Sequence, residues 1–174
     1  TSNASSTLNS VYFADANTGY AVGDNGTIVK TLDGGTTWTP QTSGASTLYD
    51  VFFTDANTGY ASGIFGGIIK TTNGGTNWAP LSSGTMLTLN SVYFTDANTG
   101  YTVGSYGTIY KTTDAGANWI LKTKGTTNSL YSVYFNDGST GYAAGSNGTI
   151  TKTTDEGVNW TMLNSGTNEW LYSV

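Results

Sequence analysis

The chain of 174 residues contains no cysteine, no histidine and no arginine. The missing cysteine excludes disulfides, thiol chemistry and cysteine-ligated metals. Without histidine, the chain lacks the commonest general base and the commonest metal ligand, so Ser-His-Asp and Cys-His catalysis are excluded. Without arginine, it lacks the side chain that binds a carboxylate through two parallel hydrogen bonds. We therefore expect no enzyme activity, no metal site and no cofactor.

Charge and long apolar runs are scarce too. Only 10% of the residues are charged and the net charge is −5, so we expect no nucleic-acid partner, because phosphate binding needs clustered Lys and Arg. The sequence has no run of about eighteen apolar residues, which argues against membrane insertion. The chain is rich instead in aromatic residues, at 13%, and in glycine, with 24 copies.

One stretch of sequence, residues 30–38, returns as residues 70–78, 111–119 and 152–160. The whole unit can be phased on a leucine that recurs every 40 or 41 residues, at Leu8, Leu48, Leu89, Leu130 and Leu171. A repeat of this period is typical of propellers and other arrays. The predicted divisions are residues 1–7, the end of a preceding repeat; blades at 8–47, 48–88, 89–129 and 130–170; and residues 171–174, the first strand of a further repeat.

Each unit reads as four short strands separated by turns. In the first unit we predict strands at residues 8–13, 19–23, 27–31 and 36–39. The first strand is apolar on both faces, which indicates packing on two sides. We therefore predict an all-β protein of four-stranded antiparallel β-propeller blades, with almost no helix. A single blade cannot bury both faces without neighbours.

The residues Thr31-x-Asp33-x-Gly35-x-Thr37-Trp38 resemble the Asp-box, or bacterial neuraminidase repeat. The wider unit is similar to the β-propeller repeat of photosystem II assembly and stability factors, which occurs in many secreted bacterial proteins. The resemblance covers essentially the whole chain and implies a structural role for the motif on the hairpin between the third and fourth strands. The corresponding residues are Asp33, Trp38, Asn73, Trp78, Asp114, Trp119, Asp155 and Trp160.

Other polar series have competing interpretations. Sialidases share the Asp-box but use several arginines, which this chain lacks. Asp15, Asn17 and Gly19 superficially resemble the start of a calcium loop, but the bidentate Glu of an EF-hand is missing. The recurring lysines Lys30, Lys70, Lys111 and Lys152 predict a solvated rim; the alternative is a positive ring for an anionic polymer.

Candidate binding residues are those that depart from the repeat. The turn after the second strand holds Phe65 in the second unit and Tyr106 in the third, and exposed aromatics suit stacking on a sugar or a protein. Connections between units hold Met86, then Lys122 and Lys124, then Trp170. Since both sets of loops fall on one face of a propeller, we predict a surface of Phe65, Met86, Tyr106, Lys122, Lys124 and Trp170. The alternative is that Phe65 and Tyr106 only pack against an adjacent blade.

The sequence thus predicts a non-enzymatic, secreted or cell-surface module that binds a protein or glycan or serves as a scaffold. The alternatives are an intracellular or thylakoid-type assembly factor acting by protein–protein contact, and a sialidase-like enzyme, which the missing Arg and His disfavour. Because open blade faces would expose apolar surface, we expect self-association, or a longer parent chain, to complete the ring. A compact four-bladed ring is the third possibility.

Overall fold

The structure, a computed structural model, describes residues 6–122 and 125–174. Within these residues the chain forms four antiparallel sheets of four strands each, and sequence neighbours pair throughout. This confirms the predicted all-β fold built from tandem propeller blades. Each of the first three blades also contains one short 3-10 turn after its second strand.

The strands have nearly the same bounds in every blade. Blade 1 comprises β1 (Leu8–Phe13), β2 (Gly19–Gly23), β3 (Ile28–Thr31) and β4 (Thr39–Gln41). Blade 2 comprises β5 (Leu48–Phe53), β6 (Gly59–Gly63), β7 (Ile68–Thr71) and β8 (Ala79–Leu81). Blade 3 comprises β9 (Leu89–Phe94), β10 (Gly100–Gly104), β11 (Ile109–Thr112) and β12 (Ile120–Leu121). Blade 4 comprises β13 (Leu130–Phe135), β14 (Gly141–Gly145), β15 (Ile150–Thr153) and β16 (Thr161–Leu163).

The second strand begins with a glycine because an aromatic ring lies over it. A Cβ on Gly19 would come within 2.7 Å of the Phe13 ring, and one on Gly59 within 2.5 Å of the Phe53 ring. Phe13 pairs with Gly19, and Phe53 with Gly59, across the antiparallel ladder. The ring of the first strand therefore packs directly on the backbone of the second.

The predicted start of the fourth strand, at residue 36, is wrong. The strand begins at Thr39, because residues 36 and 37 belong to the preceding turn. Thr36 Oγ1 donates to the Asp33 carbonyl, and the Thr37 N–H donates to Asp33 Oδ1 at 2.9 Å. Trp38 turns back, with its Nε1 donating to the Gly35 carbonyl at 3.0 Å. The motif is thus a closed turn, and the strand starts after it.

The chain divides into two compact units, the first ending at Met86 and the second beginning at Leu87. In the first unit, Tyr20, Val22 and Ile28 of blade 1 pack against the face of blade 2 that carries Val51 and Phe53. In the second unit, blades 3 and 4 share an equivalent cluster that includes Tyr101, Ile109, Val133, Phe135 and Trp160. In each unit the apolar core therefore lies between two adjacent blades.

None of the helical turns in the described residues has the length and apolar character needed to cross a membrane.

Candidate binding site

The Asp-box carboxylates are occupied by bonds within their own hairpins. Asp33 Oδ1 accepts from Thr31 Oγ1 and from the Thr37 N–H, and Oδ2 accepts from Thr37 Oγ1 at 2.6 Å. Hydrogen bonds from the Thr37 hydroxyl and backbone lower the pKa of Asp33 to about 2. A carboxylate held ionised in this way is a poor general acid near neutral pH. In blade 2, Asn73 Oδ1 accepts the Asn77 N–H in the same geometry.

The carboxylates after the first strand also serve the backbone. Asp15 Oδ1 accepts the N–H groups of Asn17 and Thr18, each at 2.8 Å. Hydrogen bonds from these two N–H groups lower the pKa of Asp15. The same turn recurs at Asp55, Asp96 and Asp137. Among residues 6–122 and 125–174, no cluster of three or more His, Cys, Asp or Glu is arranged to hold a metal ion.

The predicted solvated rim of lysines is wrong for Lys30 and Lys111. Lys30 Nζ lies 5.4 Å from the centre of the Tyr20 ring and donates to the Gly74 carbonyl at 2.7 Å. Lys111 is 7% exposed, stands in the same position over Tyr101 and donates to the Glu156 carbonyl. The sequence identifies these lysines as a recurring series, but it does not show that Lys30 and Lys111 reach the hairpin of the next blade.

The turn after the second strand carries a left-handed residue in every blade. Asn25, Phe65, Tyr106 and Asn147 have φ angles of 56°, 57°, 57° and 54°. Asparagine tolerates this region, whereas a bulky aromatic residue there is a strained outlier. Phe65 and Tyr106 are nevertheless 64% and 65% exposed, so little burial offsets the strain. The sequence shows an aromatic residue at a position where two other repeats have Asn, but it does not show the backbone angle.

A cavity of about 790 Å³ lies beside Phe65 in the first unit. Phe65 and Met86 both line it, and Met86 is 75% exposed. Ser83 Oγ donates to the Gly66 carbonyl at 2.7 Å, which ties the loop before Met86 to the turn that holds Phe65. The described residues lining the cavity include no charged side chain and no Asn or Gln. The geometry therefore offers a neutral groove whose walls combine apolar side chains with several serine and threonine hydroxyls.

The remaining predicted surface residues lie in the second unit. The Trp170 ring is tilted against the Tyr131 ring, with 5.8 Å between ring centres, and Tyr172 stacks on the same ring at 5.3 Å. Sequence reasoning missed Tyr131 and Tyr172, although both occupy the second position of a first strand in the repeat. Lys122 is half-buried, and its N–H donates to the Ile109 carbonyl. Lys124 lies outside the described residues. The structure thus places Phe65 and Met86 at one cavity and Trp170 in a separate aromatic cluster.

The fold is shared with several solved propeller proteins. A structure described as YCF48 bound to D1 peptide is 22% identical, with a TM-score of 0.72, over 97% of this chain and 53% of that one. YCF48 from Cyanidioschyzon merolae is 16% identical, with a TM-score of 0.71, over 96% of this chain and 62% of that one. The chain therefore spans between half and two thirds of these two proteins.

A protein described as a GH74 enzyme shares the fold as well. The GH74 enzyme of Niastella koreensis is 20% identical, with a TM-score of 0.78, over 92% of this chain and 30% of that one. At such identities these likenesses show the fold alone. No curated protein sequence matches the chain.

A family model does match, in two overlapping segments, residues 41–119 and 81–168. Together they include three of the four Asp-box hairpins and most of the chain. The protein therefore belongs to the family described as Photosynthesis system II assembly factor YCF48.

Proposed function

We propose that the protein is a non-enzymatic propeller module that binds an uncharged, apolar peptide segment of a partner protein, in the manner of an assembly factor. The carrying observation is Phe65, a strained and exposed aromatic residue at the rim of a neutral groove. Membership in a family of assembly factors, and a fold relative described as bound to a peptide, support this choice.

The strain at Phe65 argues for a use beyond folding. A non-glycine residue in the left-handed region costs on the order of 1–3 kcal/mol. Blades 1 and 4 avoid that cost with Asn25 and Asn147 at the same φ. Since Phe65 is 64% exposed, its ring recovers little of the cost by burial, and a bound partner would recover it.

The chemistry of the groove favours a peptide over a sugar. Its volume of about 790 Å³ falls within the usual range for binding pockets, roughly 300–1,000 Å³. Its aromatic, thioether and aliphatic walls suit apolar side chains. The amide and carboxylate groups that bind two sugar hydroxyls at once are absent from its lining, which offers only single serine and threonine hydroxyls. A charged segment would lose its hydration there without gaining an ion pair.

The test compares the native chain with Phe65→Asn, the residue that blades 1 and 4 use at this position. Binding of fluorescein-labelled uncharged apolar dodecapeptides would be measured by anisotropy, beside charged dodecapeptides and a neutral glucan hexasaccharide. We expect Phe65→Asn to weaken apolar-peptide binding by about tenfold or more, as for an aromatic anchor. The same substitution should raise the free energy of unfolding by about 1 kcal/mol, because strain is relieved.

Tyr106→Asn is the matched control. It removes an equally exposed aromatic residue from the same strained turn in the second unit and leaves the groove untouched. We expect it to raise stability similarly and to retain peptide binding. Peptide affinity that is unchanged in Phe65→Asn, or binding of the hexasaccharide alone, would refute the proposal.

Secretion or display at the cell surface stays a prediction, which fractionation of the source cells would test. Glycan binding is tested by the glucan hexasaccharide in the same binding experiment.

A further inference from the structure

The sulfur atoms of the chain belong to two methionines, Met86 and Met162, because the sequence has no cysteine. Met86 follows β8 in the connection between blades 2 and 3, and Met162 lies in β16. Met86 is 75% exposed and Met162 is 44% exposed. Hydroperoxides oxidise an accessible methionine thioether to a sulfoxide, and methionine sulfoxide reductases reverse the reaction. Reversible sulfur oxidation in this chain is therefore confined to these two side chains, and Met86 is the more accessible.

Met86 occupies a place where the equivalent connections have polar residues. In blades 2, 3 and 4, the glycine that ends the turn after the second strand lies against the carbonyl of a threonine in the following connection. The glycine–threonine pairs are Gly66 and Thr85, Gly107 and Thr126, and Gly148 and Thr167. The next residue is Met86 after the first threonine, and Thr127 and Asn168 after the other two. The thioether is thus a feature of one connection and not of the repeat.

The connection that carries Met86 is held beside the candidate groove. Met86 and Phe65 both line the cavity of about 790 Å³. Ser83, which is 4% exposed, donates through Oγ to the Gly66 carbonyl at 2.7 Å and accepts the Thr85 N–H at 3.4 Å. One buried hydroxyl therefore ties the turn of Phe65 to the loop of Met86. A chemical change at the Met86 sulfur consequently takes place at the rim of the groove.

We propose that Met86 is a reversible redox switch, whose oxidation to the sulfoxide by hydrogen peroxide or an alkyl hydroperoxide weakens peptide binding at this groove. The proposal rests on the proposed function, since it concerns the regulation of the same site. In the reaction the thioether sulfur takes the terminal oxygen of the hydroperoxide, so that an S–O bond forms and the O–O bond breaks. Sulfur is oxidised by two electrons, and the proton stays with the remaining oxygen, which leaves as water or an alcohol.

Oxidation changes the character of the rim. The thioether is apolar, flexible and polarisable, which suits contact with apolar side chains. The sulfoxide is polar and chiral, and its oxygen is hydrated before the peptide binds. Apolar side chains bring no donor to this oxygen, so that binding removes its water without replacing the hydrogen bonds. We therefore expect the affinity for an apolar peptide to fall by about tenfold or more.

The exposure of Met86 also makes the change reversible. A sulfoxide within a packed core disrupts the fold, whereas the Met86 side chain is largely in solvent. Oxidation should therefore leave the thermal unfolding midpoint nearly unchanged while it weakens binding. A combined loss of stability and binding would indicate damage to the fold and would overturn the switch.

The test oxidises the native chain with a limited amount of hydrogen peroxide. Mass spectrometry of proteolytic peptides would follow the addition of one oxygen at each methionine, and we expect Met86 to react faster than Met162. Anisotropy of the fluorescein-labelled uncharged apolar dodecapeptides would measure the affinity before and after oxidation. Treatment with both methionine sulfoxide reductases, one for each sulfoxide epimer, should restore the affinity.

Two leucine variants identify the sulfur that matters. Leucine is similar to methionine in volume and has no sulfur to oxidise. Met162→Leu should bind the dodecapeptides like the native chain and should still lose affinity after peroxide. Met86→Leu, compared with its own affinity before treatment, should not respond to peroxide. Met86→Gln places a permanent polar group at the rim and should bind weakly with or without peroxide.

The outcomes separate this proposal from the proposed function. A native chain that binds the dodecapeptides equally well before and after complete oxidation of Met86 overturns the switch and leaves peptide binding at the groove intact. A loss of affinity that persists in Met86→Leu, or that disappears in Met162→Leu, also overturns it. A reduced native chain that binds none of the dodecapeptides overturns both proposals.

Discussion

The tryptophan that closes each Asp-box occupies the same position in all four repeats but differs in burial. Trp78, Trp119 and Trp160 are 8%, 8% and 6% exposed, whereas Trp38 in blade 1 is only half-buried. Trp119 also meets the Phe94 ring edge-on, with 6.0 Å between centres. Position in the array, and not the motif alone, therefore decides how much each tryptophan contributes.

Trp119→Ala should lower the free energy of unfolding by about 3 kcal/mol or more, because it removes a large buried aromatic side chain and leaves a cavity. Urea unfolding followed by circular dichroism would measure the loss. Trp38→Ala changes the same motif position at a less buried residue and should cost clearly less. Equal costs for the two substitutions would show that burial is not the cause.

At the residue level, the sequence identified important residues more reliably than it identified their roles. Asp33 and Asn73 could be assigned to a turn because their side chains accept backbone N–H groups wherever such turns occur. Lys30 could not be assigned, since its partner, the Gly74 carbonyl, lies 44 residues away in the next blade. The backbone strain at Phe65 could not be predicted either. Its φ angle of 57° is set by the turn, which the neighbouring glycine helps to form, and is not a preference of phenylalanine.

At the scale of the element, the Asp-box hairpin is a small closed circuit of hydrogen bonds. Thr31 Oγ1 donates to Asp33 Oδ1 and accepts the Gly35 N–H at 2.9 Å. The same two bonds recur at Thr112 and Thr153. Because residues 36 and 37 form part of this hydrogen-bonded turn, the fourth strand starts later than the alternation of side chains predicts. The β-propensity of Thr and Trp was overridden by the bonds of the turn.

The hairpins should make stability depend on acid. The pKa of Asp33 and of Asp155 is lowered to about 2, mainly by hydrogen bonds from Thr37 and from Asn159 respectively. An unfolded Asp has a pKa near 3.9. A group whose folded pKa is depressed stabilises the fold fully above the unfolded pKa, and this stabilisation is lost as pH falls towards the folded pKa. The affected window is therefore about pH 4 to 2.

Substituting Asp33, Asp114 and Asp155 together by Asn, which blade 2 already uses at Asn73, should flatten the fall in stability across that window. Urea midpoints measured from pH 6 down to pH 2 would report it. The reverse change, Asn73→Asp, adds a titrating hairpin and should steepen the fall. A triple variant whose midpoints drop as steeply as those of the native chain would locate the acid sensitivity elsewhere, for example at the Asp15 turns.

At the scale of the whole molecule, the sequence predicted the repeat and its strands because the same local pattern is written four times. It could not predict how exposed each blade face is, since exposure depends on what lies next to a blade and not on the blade's residues. Val11 and Val51 occupy the same position in the repeat, yet their exposures are 59% and 3%. The same holds for the candidate groove. Phe65 and Met86 could be selected from the sequence as candidate binding residues, but the sequence does not show that they line one cavity.

The difference between the blades should appear in amide hydrogen exchange. In a tandem array, each repeat is stabilised by its interfaces with its neighbours. Blade 1 has one occupied interface among the described residues, on the side of blade 2. At low protein concentration, amides of β2 and β3 should therefore exchange faster than the matching amides of β6 and β7 through sub-global opening. Exchange followed by mass spectrometry of peptides from the two blades would measure the ratio.

Blade 2 is the control within the same chain, because its strands occupy the same positions of the repeat and pack against blade 1. Equal exchange in the two blades would contradict the nearest-neighbour account of their stability.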